Sequence, residues 1–486
     1  MAHGPALFGT CNPAFPGRAV MSQAADYVPM RILDIELGEP LPLVCAVDEK
    51  TGRHYQRAIC LVRLHTRSLG VVELELAEGG TSPYEYAQYI WHTLGAQINE
   101  HLQEDGLLPV TGLGPEGLSG PAMPRCVEVR EQCLARAPFV SVIVPTRDRP
   151  ERLQLCLRSL MALRYPQYEI IVVDNAPSTS ATVDFIQQIY GDVPQVRYVR
   201  EDHVGASWAR NCGMMAARGE ILAFTDDDIV VDADWLVGLV EAFSLADNVA
   251  CVTGLLLPLE LETPAQFWIE EFGGFGKGFR RRIFDMKENH PNSPLHPYTA
   301  GQFGSGAIMA FTAAFLHSVG GFDPTLGPGT PAQGGEDLSL FFQAVIRGYK
   351  LVYEPASLGY HPHYREYVGL RKQIYNYGVG LVAYLMKILL DNPRLLFDFI
   401  TKVPYGLYFA LSARSSKNRK KSSHYPKELT RLERVGMLYG PFAYLWSRWA
   451  ARNARKTAAP IEAECFSISA EDASLLPYNM YEHENG

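Results

Sequence analysis

Apolar positions along the chain follow two different patterns, with a Gly- and Pro-containing stretch between them. From about Met30 to Gly106, the segments Arg31–Leu37, Ala58–Leu64 and Val71–Leu76 alternate partially between apolar and polar residues, which predicts three strands. Ser82-Pro83-Tyr84-Glu85 then has the form of a capping box with proline at the first helical position. Ile90, Leu94, Ile98 and Leu102 recur at four-residue spacing, and Gly106 ends the helix. This predicts a small α/β module over 30–106, in which no catalytic constellation is visible. Residues 107–138 read as a linker.

At Phe139 the pattern changes to short, fully apolar runs separated by helical periods. Val140–Val144, Glu169–Asp174, Val196–Arg200 and Ile221–Thr225 predict four strands. Leu153, Cys156, Leu157, Leu160 and Leu163 mark one face of a first helix, and Thr179–Tyr190 and Ser207–Arg218 predict two more. Strand and helix alternating at this spacing imply right-handed crossovers and a mostly parallel, Rossmann-like sheet flanked by helices. Ligands bind such sheets beyond the C-terminal strand ends, where this sequence gathers its polar residues.

The strongest chemical signal lies at the end of the fourth strand, in Thr225-Asp226-Asp227-Asp228. In extended chain Asp226 and Asp228 project to one side and Asp227 to the other. Paired carboxylates suit Mg²⁺ or Mn²⁺, and such an ion neutralises a diphosphate. A triple Asp also suits a helix N-cap or an exposed turn, so its surroundings decide. A second acidic pair, Glu336-Asp337, follows the flexible Gly327–Gly335 stretch, where adjacent acids also suit a helix start as dipole partners.

Val142-Ile-Val-Pro-Thr146, Val172-Val-Asp174, Ala206-Ser-Trp-Ala-Arg-Asn211, the Asp triplet and Gly334-Gly-Glu-Asp-Leu338 occur in that order. Together they resemble family 2 glycosyltransferases of the GT-A fold, over roughly Phe139 to Tyr364. The resemblance implies an inverting transferase that uses a nucleoside-diphosphate sugar, UDP- or another NDP-hexose, and Mg²⁺ or Mn²⁺ bound at a DXD motif. It places Asp174 at the nucleobase, and Pro145 and Arg147 in the first nucleotide-contacting loop. Arg210, with Asn211, would contact the donor or brace the metal loop. It puts Asp226 near the ribose or metal, Asp227 among the nucleotide-sugar ligands and Asp228 directly on the metal. Asp337 becomes the catalytic base, Glu336 its support, and His361 of Tyr360-His-Pro-His363 a third metal ligand. Asn175-Ala-Pro-Ser-Thr departs from the usual acidic residue and Gly-Ser after Asp174, which leaves the base open. Phe267–Arg282, aromatic and arginine-rich, reads as an acceptor-side wall, and Gly301–Gly306 as cleft lining.

Residues 139–365 are thus expected to form the GT-A domain and 366–457 a helical extension. Leu370, Ile374, Tyr377, Leu381, Tyr384, Leu385 and Ile388 form one apolar stripe in that extension. Leu395–Leu411, interrupted by Lys402 and Pro404, is a second apolar segment, followed by Arg414, Lys417, Arg419, Lys420 and Lys421. Apolar faces beside basic residues suit peripheral contact with an anionic membrane. A carbohydrate or lipid-linked acceptor follows from this and from the resemblance. Residues 1–29 and the acidic, Ser-rich 458–486 read as disordered.

Bulk properties add limits. A net charge of -9 argues against nucleic acid as a partner. Nine cysteines, an odd number without a CxxC pair, suit free thiols in a reducing compartment. With no signal-peptide pattern and no run of about 18 apolar residues, a cytoplasmic place is expected, at the inner face of the membrane. Oligomeric state is not encoded in any motif. Two other readings are weaker. A sugar nucleotidyltransferase needs a Gly-rich loop after the first strand, and Pro145-Thr-Arg-Asp-Arg-Pro150 has no glycine. A non-catalytic binding protein on the same fold would be expected to lose Asp226, Asp228 or Asp337, all present.

Overall fold

The partial alternation in the first unit gives three strands, β1 (Met30–Glu36), β2 (Arg57–Leu64) and β3 (Arg67–Glu75), and one long helix, α1 (Pro83–Glu104). This is seen in a computed structural model that describes residues 28–49 and 51–457, so most of the segments read as disordered tails lie outside the described residues. β2 runs parallel to β1 and antiparallel to β3. Ala58, Cys60, Val62, Val72 and Leu74 meet Ile90, Leu94, Ile98 and Leu102 of α1 in one apolar core. The capping box forms as predicted: the Glu85 amide donates to Ser82 Oγ at 3.4 Å and the Ser82 amide to the Glu85 carboxylate at 3.1 Å.

The stretch read as a linker contains a helix, α2 (Arg125–Ala135). None of its side chains is fully buried, so it carries no strong apolar period. It packs beside a helix of the next unit, Trp235–Phe243.

There the predicted alternation appears as β4 (Val140–Thr146), α3 (Pro150–Met161), β5 (Tyr168–Asn175), α4 (Ala181–Tyr190), β6 (Val196–Glu201), α5 (Ala206–Ala216) and β7 (Ile221–Thr225). A two-residue β8 (Val230–Val231), α6 (Trp235–Phe243), β9 (Val249–Pro258), α7 (Pro264–Phe272) and β10 (Arg282–Phe284) follow. The unit closes with β11 (Ile308–Thr312), α8 (Ala313–Val319), α9 (Glu336–Ile346) and β12 (Lys350–His361). The strands form one nine-stranded sheet in the order β10-β12-β9-β11-β7-β4-β5-β6, with β8 against β12. Parallel pairing holds from β7 to β6, as expected, but β11 is antiparallel to both neighbours, β7 and β9, so the whole sheet is mixed.

Beyond it come α10 (Tyr367–Asp391), α11 (Leu396–Leu411) and α12 (Lys427–Thr457). Leu370, Ile374, Tyr384 and Ile388 of the predicted stripe are buried. α12 lies directly on α10: a Cβ on Gly378 would stand 2.1 Å from the Glu433 carbonyl oxygen, and one on Gly436 2.2 Å from that of Tyr375. Both positions need glycine for this close backbone approach.

The N-terminal module is joined to the large sheet by arginines. Arg63 binds Asp34 at 2.6 Å and Asp232 at 3.0 Å, and Arg67 binds Glu354 at 3.1 Å and Glu241. Glu354 stands where the β12–β9 register breaks, at Pro355, which has no amide to give to the ladder.

Candidate active site

β7 ends at Thr225, and the Asp triplet lies in a turn closed by the Ile229 amide on the Asp226 carbonyl at 3.2 Å. The carboxylates therefore fan out of a turn instead of alternating along a strand. Asp227 is fully buried beneath the site, accepts from Thr146 Oγ1 at 2.7 Å and pairs with Arg149 at 2.8 Å. Burial pushes its pKa up to about 7. Asp228 faces Arg152 at 3.1 Å and Arg149 at 3.8 Å. Asp226, its side chain 38% exposed, binds Arg210 at 2.9 Å. Loss of solvent raises its pKa against the pull of Arg210, and Asp228 and Glu336 raise it further.

Arg210 reaches the second acidic pair from the same guanidinium. It is 4% exposed on α5, donates Nη1 to Glu336 at 2.7 Å and Nη2 to Asp226, and stacks on Phe322 at 5.5 Å. Two carboxylates from distant parts of the chain are thus held on one planar fork, a geometry lysine lacks. Its neighbour Asn211 fastens the Phe322 backbone instead, with both hydrogen bonds at 2.8 Å.

Asp337, next to Glu336 at the start of α9, accepts the Gly306 amide at 3.1 Å and the Leu338 amide at 2.8 Å. A Cβ on Gly306 would meet its carboxylate at 2.6 Å, so this part of the predicted small-residue lining lies directly against Asp337. Burial, then the charge of Glu336, raises the Asp337 pKa.

On the other side, Asp174 ends β5 fully buried; one oxygen accepts Tyr198 OH at 3.0 Å and the other has no hydrogen-bond partner. Pro145 and Arg147 sit at the neighbouring end of β4, with Arg147 half exposed and 3.7 Å from Asp148. Asp148 holds the next loop by accepting the Ser178 amide at 2.9 Å.

His361 closes the cleft from the end of β12. Its Nδ1 is 3.2 Å from His363 Nδ1, whose Nε2 is 2.7 Å from Glu270, and Phe275 lies against the His361 ring at 4.7 Å. The tautomer of His363 that donates Nε2–H to Glu270 accepts from His361 Nδ1–H, which leaves the His361 Nε2 lone pair available. Burial pushes the His361 pKa down to about 4, so the ring is neutral at pH 7. Two carboxylates and a neutral imidazole suit a hard divalent cation. Their ligand atoms do not all lie within 4.8 Å of one another as the side chains stand, with arginines neutralising the acids.

Two arginines of the predicted acceptor wall point elsewhere. Arg280 binds Glu100 of α1 at 2.6 Å and so serves the contact with the N-terminal module, while Arg281 binds Glu354, the acid that Arg67 of that module also holds. Arg149 and Arg152, which crown the triplet, were not among the predicted site residues; the run Arg147-Asp-Arg-Pro-Glu-Arg152 was their only signal.

Residues 141–289 match the model of glycosyl transferase family 2. The chain carries a family 2 glycosyltransferase domain. A pre-mycofactocin glycosyltransferase of Mycobacterium tuberculosis is 26% identical over 225 residues, 46% of this chain and 43% of its own length. The glucosyl-dolichyl phosphate glucuronosyltransferase of Haloferax volcanii is 24% identical over 195 residues, 39% of this chain and 57% of that one. The chain therefore spans about half the length of these relatives. A mannosyltransferase from Pyrobaculum calidifontis, solved with GDP-Man and Mn²⁺, aligns over 69% of this chain and 85% of its own at 18% identity, with a TM-score of 0.39. The large sheet, with apolar cores and helices on both faces, is the helix-flanked α/β sheet expected from the sequence. The family match contains Asp174, Arg210 and the triplet; Glu336, Asp337 and His361 lie beyond it.

Proposed function

We propose that the chain is an inverting glycosyltransferase that moves a hexose from a nucleoside-diphosphate sugar to a hydroxyl of a carbohydrate or lipid-linked acceptor. The observation that carries this reading is the Arg210 fork, which joins Asp226 on the donor side to Glu336, the neighbour of Asp337. A donor held over the triplet then has a carboxylate across the cleft. Asp174, with one unpartnered buried oxygen, suits an N–H of the nucleobase, and Pro145 and Arg147 line the same end. As the acceptor oxygen bonds to C1, the bond from C1 to the diphosphate breaks, the electron pair leaves with the nucleoside diphosphate, and Asp337 takes the hydroxyl proton. Its raised pKa fits it for that task. Glu336 and Arg210 keep the two walls in register, and buried Asp227 supports the turn from below. Asp226, Asp228 and His361 would hold Mg²⁺ or Mn²⁺ once the arginines yield, and the bound ion would supply charge neutralisation of the diphosphate.

A lipid-linked acceptor is favoured by α11, a 16-residue apolar helix with no fully buried side chain. No described helix is long and apolar enough to cross a membrane, so contact would be peripheral. Arg414 and Arg419 remain exposed for it, whereas Lys417 pairs with Glu433, and Lys421 packs on Phe272 and Tyr425.

The test is nucleoside-diphosphate release from a panel of nucleotide-sugars with Mg²⁺, Mn²⁺ or chelator. Metal-dependent release from one donor is expected, with Asp337→Asn lowering it about 10²–10⁴-fold and Asp228→Ala abolishing the metal response. A chain that binds none of the donors overturns the reading.

A further inference from the structure

The N-terminal module and α2, which show no chemical motif in their sequence, together bring four ligand-type side chains to one point. His65 occupies the tight β2–β3 turn at φ 54°, held by Glu36, whose carboxylate accepts the amides of His65 at 2.8 Å and Thr66 at 2.9 Å. His101 and Asp105 stand one turn apart at the end of α1, and Cys126 is the second residue of α2. His65 Nδ1 lies 3.2 Å from His101 Nε2 and 2.9 Å from Asp105 Oδ2. The same Asp105 oxygen is 3.2 Å from His101 Nε2 and 3.0 Å from Cys126 Sγ. All four ligand atoms lie within 4.8 Å of one another, the one such group of three or more His, Cys, Asp or Glu among the described residues.

Hydrogen bonding alone accounts poorly for this convergence. Three groups aim at a single carboxylate oxygen that has two lone pairs, and two imidazole nitrogens face each other. Around zinc, with ligands at about 2.0–2.3 Å in a tetrahedron, neighbouring ligand atoms stand about 3.3–3.8 Å apart. The four separations given above, 2.9–3.2 Å, fall a few tenths of an ångström short of that size. Asp105 Oδ1 is steadied by the Cys126 amide at 3.0 Å, an outer contact of the kind that orients metal ligands.

We propose that His65, His101, Asp105 and Cys126 form a four-coordinate site for a borderline divalent transition ion, zinc foremost. The two nitrogens, one sulfur and one oxygen match zinc and disfavour Mg²⁺ or Ca²⁺, which require oxygen ligands. Four protein ligands, with His65, His101 and Asp105 side chains 11%, 9% and 4% exposed, leave no open position, so the site is structural. It ties the β2–β3 turn, the end of α1 and α2 into one piece and fixes α2 where it meets α6. The ion enters from a cavity of about 580 Å³ between the module and the glycosyltransferase domain, bordered by Arg67, Arg125 and Glu241. Binding releases the Cys126 thiol proton to solvent.

The full chain, stripped with chelator and titrated with Co²⁺, provides the test. One thiolate-bound ion per chain is expected, with the intense visible bands of tetrahedral cobalt and a thiolate-to-cobalt charge-transfer band. Cys126→Ser should lose that band and weaken binding about 10-fold or more, while Asp228→Ala, in the glycosyltransferase cleft, should leave both unchanged. Zinc should displace the cobalt and raise the melting temperature of the stripped chain. Burial of the ligands makes misfolding of a variant a separate event, so the unaltered chain decides. If it shows no thiolate–cobalt band in excess Co²⁺ and retains no zinc on purification, the site is a hydrogen-bonded cluster only, and the proposal is overturned.

Discussion

Glu336 and Asp337 are adjacent in sequence and have different partners. Glu336 meets Arg210 at 2.7 Å, whereas Asp337 meets two backbone amides and keeps a raised pKa, since burial and the neighbouring charge of Glu336 both disfavour its ionised form. An acid with a raised pKa gives up its proton late, so kcat/KM for transfer should rise with pH through a value above the ordinary carboxylate range. The same shift favours the protonated form in the fold, so its contribution to stability is full at low pH and is lost as pH rises through the folded pKa. Glu336→Gln removes the neighbouring charge and leaves Arg210 less compensated. Both effects should move the acidic limb of kcat/KM to lower pH, by on the order of one unit; an unmoved limb would detach that limb from Asp337. The acids at this site stood out in the sequence only through the ordered motifs around them, because a triple Asp alone also suits a helix N-cap or an exposed turn, and an acidic pair at a helix start suits the helix dipole. Arg149 and Arg152 did not stand out, because arginines in an exposed loop equally suit phosphate or water. His65, His101, Asp105 and Cys126 were hidden by separation: the two histidines stand 36 positions apart and Asp105 and Cys126 21 positions apart, with no metal-ligand spacing except His101 and Asp105 one turn apart.

Asp337 depends on how α9 begins. Gly335 caps that helix at φ 88°, and a Cβ there would meet the Gly380 carbonyl oxygen of α10 at 2.7 Å and Tyr384 Cβ at 2.8 Å. Gly335→Ala imposes a left-handed conformation on a residue with a side chain, costing about 1–2 kcal/mol, and forces α10 away. The expected result is a folded chain with a modestly lower urea midpoint and at least a tenfold fall in kcat, since displacement of a base by about 1 Å is costly; unchanged kcat would show that α9 tolerates the shift. Elements with a strong period were readable: the strands from β1 to β7 and helices α1, α3, α4 and α5 appear within a few residues of expectation. β11 was not, because Ile308–Thr312 is a five-residue apolar run that could be strand or buried helix. Its pairing with β7 and β9 depends on residues over 50 positions away. α2 was missed for the opposite reason, having no apolar face to display.

At the scale of the whole molecule, the three parts leave one surface unexplained by folding alone. α12 packs its inner face on α10, yet Leu438 and Phe442 on its outer face are 76% and 68% exposed, as is Phe397 on α11 at 79%. Leu445, Trp446 and Trp449 continue the outer stripe at helical spacing. An apolar band of this extent is not left in water without a use. A second copy of the chain or a lipid surface would cover it, and the exposed Arg414 and Arg419 between the helices favour an anionic lipid surface. Burying a Leu or Phe side chain is worth about 1.5–3 kcal/mol, and each basic residue near an anionic leaflet about 1 kcal/mol. A few of each suffice for reversible binding without a spanning helix. The full chain should therefore float with vesicles containing phosphatidylserine, and salt should weaken this. Leu438→Asp with Phe442→Asp, both on the exposed face, should lower the vesicle-bound fraction about tenfold while leaving the melting temperature within a few degrees. Sedimentation separates the two occupants: a concentration-dependent dimer lost in the same variant, with no flotation of the parent chain, would assign the band to self-association and remove the support it gives to a lipid-linked acceptor.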